Sequence, residues 1–96
     1  MKPNGAVKPA ATVAPVELAQ QVHGREDFAR FLQAFRESLL AEPEKWENQD
    51  LASFLEAMTR WTEDMPGYFK NRGEPLPDPP TWQTFAQVLL AAQVYE

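Results

Sequence analysis

The sequence predicts an all-α fold: a small three- to four-helix domain preceded by a disordered N-terminal tail. Apolar side chains recur at spacings of three and four residues along most of the chain, which is the period of a helix with one buried face. No segment alternates apolar and polar residues as a half-buried strand does. Glycine and proline separate the periodic segments near residue 24, at 43 and from 66 to 80. A chain of 96 residues is long enough for one compact domain.

The N-terminal segment is predicted to be a tail followed by a weak helix. Residues 1–14 mix Pro, Gly, Ala and Thr with no apolar periodicity, which is typical of a segment that does not order itself. Pro15 suits the first position of a short helix over residues 15–22, and Gly24 separates that helix from the next one. The sequence therefore predicts a disordered tail over 1–14 and a single helical domain over 15–96.

The strongest periodic segment predicts a helix over residues 25–41. Phe28, Phe31 and Phe35 repeat at three- and four-residue spacings and form a core-facing stripe. Acidic residues open the segment, where the positive end of the helix dipole favours them. Pro43 ends the helix because proline lacks the amide hydrogen that the next turn needs.

A second long helix is predicted over residues 49–65, with Asn48 as its N-cap. Its expected core face carries six apolar residues. Pro66 and Gly67 are expected to end it, and five prolines between residues 66 and 80 indicate a stiff connecting loop. The predicted face consists of Leu51, Phe54, Leu55, Met58, Trp61 and Met65.

The last helix is predicted over residues 81–95, with Thr81 as its N-cap after two prolines. Trp82, Phe85 and Leu89 form one face, and apolar residues widen this face until little of the circumference is polar. Such a helix suits either a central position between the other helices or an interface between two copies of the chain.

Composition limits the kinds of partner and compartment. The sequence has no cysteine, which excludes disulfides and thiolate metal sites and predicts a cytoplasmic location. Net charge is +1 over residues 1–24 and −6 over residues 25–96, so the predicted domain repels phosphate backbones and we expect no nucleic-acid binding. No apolar run has the length of a signal peptide core or a membrane span, so we expect neither export nor membrane insertion.

The chain lacks the residue combinations of common catalytic and metal sites. His23 is the only histidine, and no cysteine or second histidine can share a metal with it. The two serines lie within predicted helices without the glycines of a nucleophile elbow. We therefore predict a protein that is not an enzyme and needs neither a metal nor a cofactor.

Aromatic, acidic and basic residues are densest between residues 61 and 73. Loops often carry function, and Tyr, Trp and Arg are frequent in binding hot spots. Tyr68 and Phe69 have two interpretations at this point: they plug the end of the helical core, or they form a binding surface. The candidate binding residues are Glu47, Asp50, Trp61, Glu63, Asp64, Tyr68, Phe69, Asn71 and Arg72.

Several short motifs resemble a family of small uncharacterised bacterial proteins. The resemblance spans about residues 26–96 and implies no activity; Phe69 departs from it, since the family often has a second Tyr there. The motifs are Trp46-Glu47-Asn48, Asp50-Leu51, Phe54-Leu55-Glu56-Ala57, Trp61-Thr62-Glu63-Asp64-Met65, Gly67-Tyr68, Asn71 and Pro80-x-Trp82-x-x-Phe85-Ala86.

Three functions follow as hypotheses. The preferred one is a domain that binds another, basic protein through the acidic face of the second long helix and the loop around Tyr68, with Tyr68 and Phe69 as aromatic anchors. An immunity-type inhibitor of a toxin is one concrete version. The second is a small-ligand or enzyme site built on Glu63, Asp64 and Tyr68. The third is a structural homodimer that buries Val88, Leu90 and Val94.

Overall fold

The computed structural model describes residues 14–95, and within them it confirms the all-α fold. Four α-helices and one short 3₁₀ turn are present, and no strand occurs in this part of the chain. Residues 1–13 of the predicted tail lie outside the described residues. The elements are α1 (Pro15–Gln20), α2 (Arg25–Ala41), the 3₁₀ turn (Pro43–Lys45), α3 (Leu51–Asn71) and α4 (Trp82–Val94).

The α2 helix supplies much of the core through its phenylalanines. Phe31 has no exposed surface, and Phe35 is buried beside it with ring centroids 5.2 Å apart. The 3₁₀ turn after α2 brings Trp46 back onto this helix, where its ring lies 4.5 Å from that of Phe35. The indole N–H of Trp46 donates a hydrogen bond of 3.2 Å to the hydroxyl oxygen of Ser38, so this buried donor is satisfied.

The start of α3 differs from the prediction, because Asp50 and not Asn48 is its N-cap. A carboxylate oxygen of Asp50 accepts a hydrogen bond of 2.9 Å from the backbone N–H of Ser53, and the other accepts one from the Ser53 hydroxyl. Asn48 instead donates hydrogen bonds from its side-chain amide to the carbonyl oxygens of Ala92 and Tyr95 at the end of α4. Asp50 therefore caps the N-terminus of α3, whereas Asn48 caps the C-terminus of α4.

The predicted end of α3 at residue 65 is wrong, since the helix continues through Pro66 and Gly67 to Asn71. Pro66 lacks an N–H and leaves the carbonyl of Thr62 without its helical donor. Both residues are exposed, so water can hydrate that carbonyl, while burial of Phe69 favours the additional turn.

Gly73 closes the C-terminal end of α3, two residues after Asn71. The N–H of Glu74 bonds to the carbonyl oxygen of Phe69 at 2.9 Å, and that of Gly73 bonds to the oxygen of Lys70 at 3.0 Å. This pair of bonds is a Schellman motif, and it requires the left-handed backbone conformation that Gly73 adopts with φ of 70°.

The α4 helix is the centre of the arrangement, because it packs against α1, α2 and α3. Thr81 is its N-cap and forms a reciprocal capping box with Thr84. In contrast, no Cα atom of α2 lies within 8 Å of one in α3. Only side chains meet between these two helices, as Phe35 and Phe54 do with ring centroids 6.1 Å apart.

The core has two parts, one on each side of α4. The second contains Phe69, which is only 4% exposed. Ala19, Val22, Phe31, Phe35, Trp46 and Ala86 form the first part, and Trp61, Met65 and Phe69 form the second.

Candidate functional site

The structure brings three of the nine candidate residues together on α3. At about 100° of rotation per residue, Trp61, Tyr68 and Arg72 fall within roughly 40° of one another around the helix. All three line one cavity. The prediction that Tyr68, Phe69 and Asn71 belong to a loop is wrong, since all three are helical.

That cavity, which we call the polar cleft, lies between α1, the C-terminal half of α3 and α4. Its volume is about 370 Å³. Three glutamines and one arginine supply its polar groups, and the remaining lining is aromatic or aliphatic. The lining residues are Val16, Ala19, Gln20, Trp61, Tyr68, Arg72, Gln83, Gln87, Leu90 and Ala91.

Aromatic rings and one cation organise the α3 side of the polar cleft. The rings of Trp61 and Tyr68 have centroids 5.3 Å apart, and the guanidinium carbon of Arg72 lies 5.3 Å from the Tyr68 ring centroid. The Nε of Arg72 also lies 3.4 Å from a carboxylate oxygen of Glu74. Phe69 is buried in the second part of the core, and Tyr68 is half-buried and packs against the same part of the core.

The α4 side of the cleft is fixed by Gln83. Its side-chain nitrogen donates a hydrogen bond of 3.2 Å to the carbonyl oxygen of Gln20 and a longer one of 3.5 Å to that of Ala19. These carbonyls belong to the last turn of α1; that of Ala19 also accepts a backbone hydrogen bond of 3.4 Å from Val22. Gln83 therefore links the end of α1 to α4 beside the cleft.

The four acidic candidates do not form one patch. Glu47 and Asp50 precede α3, whereas Glu63 and Asp64 lie about 20 Å further along it at 1.5 Å per residue. Glu63 is exposed on the side of α3 opposite Trp61.

Two of these acidic residues have structural partners. The Tyr95 hydroxyl donates a hydrogen bond to a carboxylate oxygen of Asp64, and this bond raises the pKa of Tyr95. The backbone N–H of Ser53, followed by its hydroxyl, lowers the pKa of Asp50. Both shifts follow from hydrogen bonds that favour one protonation state.

The three residues of the alternative site, Glu63, Asp64 and Tyr68, do not all line the polar cleft. Only Tyr68 lines the polar cleft, and neither carboxylate joins it there. No group of three or more potential metal ligands occurs among residues 14–95. Within the same residues, no helix has both the length and the apolar character that crossing a membrane requires.

The sequence did not predict a second surface, which we call the apolar furrow. It consists of two cavities beside α4: one of about 340 Å³ between α2 and the start of α3, and one of about 530 Å³ between α3 and the loop from Leu76 to Pro80. Phe54 and Met58 are one turn apart on α3, as Phe85 and Leu89 are on α4, so the two cavities are neighbours along these helices. We define the furrow by Leu32, Leu51, Phe54, Met58, Leu76, Phe85 and Leu89.

Large apolar side chains remain accessible in the furrow. Leu51 is 71% exposed, Phe85 45% and Leu76 43%. The sequence placed Leu51 and Phe85 on core-facing stripes, and the structure corrects this because α2 and α3 are too far apart to cover them. The only feature of the sequence that indicated this surface was the wide apolar face of the last helix.

Charge around these surfaces is mostly negative. Residues 14–95 contain thirteen acidic and seven basic side chains. Four of each form ion pairs with each other, which leaves nine acids and three bases with no ion-pair partner in this part of the chain. Asp50 and Asp78 line the furrow near its two ends, and Arg36 lines one of its cavities.

Comparison with known proteins gives one match. A family model described as a family of unknown function (DUF7660) matches residues 24–96. No curated protein and no solved structure is significantly similar to the chain. The match confirms the resemblance to an uncharacterised family, while the bacterial origin stays a prediction.

Proposed function

The chain belongs to DUF7660, a family of unknown function, and we propose that it is a non-enzymatic domain that binds another protein through the apolar furrow. The observation that supports this is the row of accessible large apolar side chains that line the furrow's two cavities along α3 and α4. Contiguous exposed apolar surface is uncommon in monomeric proteins and marks interaction sites. The occupant we infer is an amphipathic helix with flanking lysines or arginines.

The dimensions of the furrow suit a helical segment. Its α3 wall extends from Leu51 to Pro66, about 22 Å at 1.5 Å per residue, which is the length of roughly four helical turns. Helices bind such grooves through apolar residues spaced three, four and seven apart. Phe85 and Leu89 lie one helical turn apart on α4. They therefore present apolar side chains at the spacing of the apolar residues on such a bound helix.

Charge supports a basic partner. Nine acids without an ion-pair partner outnumber three such bases, and Asp50 and Asp78 lie at the furrow itself. Complementary charge speeds association and excludes acidic competitors. Glu47, Glu63 and Asp64 would contribute to steering at longer range, whereas Phe69 is too buried to anchor a partner.

An acidic immunity-type inhibitor of a basic toxin is the concrete version of this proposal. In that version the partner is a bacterial toxin, and binding takes place in the cytoplasm. The absence of cysteine and the net negative charge support this version. The proposal requires no catalytic residue and no cofactor.

Site-specific photocrosslinking tests the furrow. A photoreactive amino acid is placed at Leu51 or Leu76 and, as controls, at the exposed residues Leu40 and Val94, which line none of the described cavities. Mass spectrometry then identifies the crosslinked segment in lysate of the source organism. We expect both furrow positions to capture the same apolar segment, flanked by basic residues.

Matched variants distinguish specific binding at the furrow from nonspecific binding to other exposed apolar residues. The Leu51→Gln, Leu76→Gln double variant, with a photoreactive group at Phe85, should lose the crosslink, while the Leu40→Gln, Val94→Gln variant should keep it. Capture of an acidic segment, or equal capture from control positions, would contradict the proposal. Crosslinking to a second copy of the chain would favour the homodimer instead.

A further inference from the structure

We propose that the polar cleft binds a small aromatic carboxylate, a planar apolar molecule that carries one carboxylate group. This site is separate from the apolar furrow. Gln87 of the cleft and Phe85 of the furrow are about 200° apart around α4, so the two surfaces lie on opposite sides of that helix. The domain would therefore hold a small ligand and a protein partner at different places.

The cleft has the size and lining of a small-molecule site. Its volume of about 370 Å³ falls at the lower end of the range for ligand pockets, roughly 300 to 1,000 Å³. Trp61 and Tyr68 offer aromatic surface on the α3 side, and Leu90 faces them from α4. A flat ring can stack against such walls in the offset or edge-to-face geometry that aromatic pairs prefer.

Trp61 provides an unused hydrogen-bond donor at this site. The residue is only 7% exposed and lines the cleft, but its indole N–H remains in contact with solvent and has no acceptor among residues 14–95. Gln87 is half-buried in the same lining, and its side-chain amide likewise makes no hydrogen bond within the described chain. A ligand with acceptor oxygens would satisfy both residues.

Arg72 determines the charge of the ligand. Among residues 14–95 it is the only charged residue that lines the cleft. Its present partner Glu74 is exposed, and the Nε to oxygen distance of 3.4 Å indicates a weak pair. A carboxylate can accept two parallel hydrogen bonds from a guanidinium, which is the stronger arrangement. The ligand carboxylate would therefore replace Glu74 while the ring occupies the space beside Tyr68.

Titration by NMR spectroscopy tests the cleft on the full chain. The probes are indole-3-acetate and benzoate, and each is compared with its neutral amide. We expect the carboxylates to shift the indole N–H signal of Trp61 in a saturable way, and the amides to bind at least tenfold more weakly. Ligand concentrations should reach about 10 mM, which would detect a dissociation constant near 1 mM.

Two variants, each of which removes one exposed cationic side chain, complete the experiment. Arg72→Gln should weaken carboxylate binding at least tenfold, whereas Lys70→Gln, a change in the same last turn of α3 outside the cleft lining, should leave it unchanged. Absence of saturable shifts with both acids would overturn the proposal. So would equal binding of acids and amides, or equal binding to the Arg72 and Lys70 variants.

Discussion

The side-chain amide of Asn48 donates a hydrogen bond of 2.9 Å to the backbone carbonyl oxygen of Tyr95, 47 residues further along the chain. A second bond of equal length reaches Ala92, and the backbone N–H of Asn48 bonds to the carbonyl oxygen of Gln93. The last turn of a helix has no intrahelical donors for its carbonyls. One residue between the 3₁₀ turn and α3 therefore satisfies the C-terminal end of α4.

We predict that Asn48→Ala lowers the free energy of unfolding by about 1–3 kcal/mol, because it leaves partly buried carbonyl groups without donors. Urea denaturation measures the change. Gln49→Ala is the matched control, since the Gln49 side chain is exposed and makes no hydrogen bond within the described chain. An equal effect of the two changes would contradict the role of Asn48.

The N-cap of α3 should make stability depend on acid pH. Hydrogen bonds from Ser53 hold the pKa of Asp50 below its ordinary value of 3.8. The contribution of this carboxylate is therefore complete above pH 3.8 and is lost as the pH falls through the lower pKa of the folded state. Asp50→Asn should be less stable than the wild type near neutral pH, and the difference should shrink in acid. Urea titrations at several pH values would show this, and a constant difference would contradict it.

The Tyr95 to Asp64 contact should have the opposite dependence. The hydrogen bond to Asp64 raises the pKa of Tyr95 above 10.0. Its stabilising contribution is complete below pH 10.0 and is lost as the pH rises through the higher pKa of the folded state. Ultraviolet absorbance of tyrosinate should therefore show a late-ionising tyrosine that disappears in Tyr95→Phe. In Asp64→Asn this late transition should move to lower pH, and no movement would contradict the contact.

The proline inside α3 should cost stability. Pro66→Ala restores the missing N–H donor for the Thr62 carbonyl and should raise the free energy of unfolding by roughly 1–3 kcal/mol. Gly67→Ala should add about 0.5–1 kcal/mol, since a Cβ at Gly67 meets no atom within 4 Å. Thermal and urea unfolding measure both. Destabilisation by Pro66→Ala would indicate that the proline shapes the helix in a way its neighbours require.

Local patterns predicted most of the fold. The stripe of Phe28, Phe31 and Phe35 defined α2, and Thr81 after two prolines marked the start of α4. Pro66 alone could not predict the end of α3. Whether the helix continues past this proline depends on how much apolar surface Phe69 buries in the folded molecule. Gly73, a residue suited to end a helix, was the signal that marked the true end.

The candidate sites were predictable only in part. Trp61, Tyr68 and Arg72 were recognised by residue type, and helical rotation places them together once α3 is known to continue. The acidic candidates were recognised because carboxylates are numerous near the second long helix. In the structure, however, they lie far apart along α3 and form no single patch. The apolar furrow depends on how α2, α3 and the loop of residues 76–80 are spaced around α4, which no local pattern encodes, so Leu51, Phe54 and Leu89 were assigned to core-facing stripes.

The central position of α4 also bears on how the chain folds during synthesis. Since α2 and α3 have no backbone contact and both pack on α4, a nascent chain that has emerged only as far as α3 cannot form the full core. Until α4 leaves the ribosome, the side of α3 that holds Trp61, Met65 and Phe69 has no partner helix. Nascent chains stalled just after α3 should therefore be candidates for chaperone binding or proteolysis.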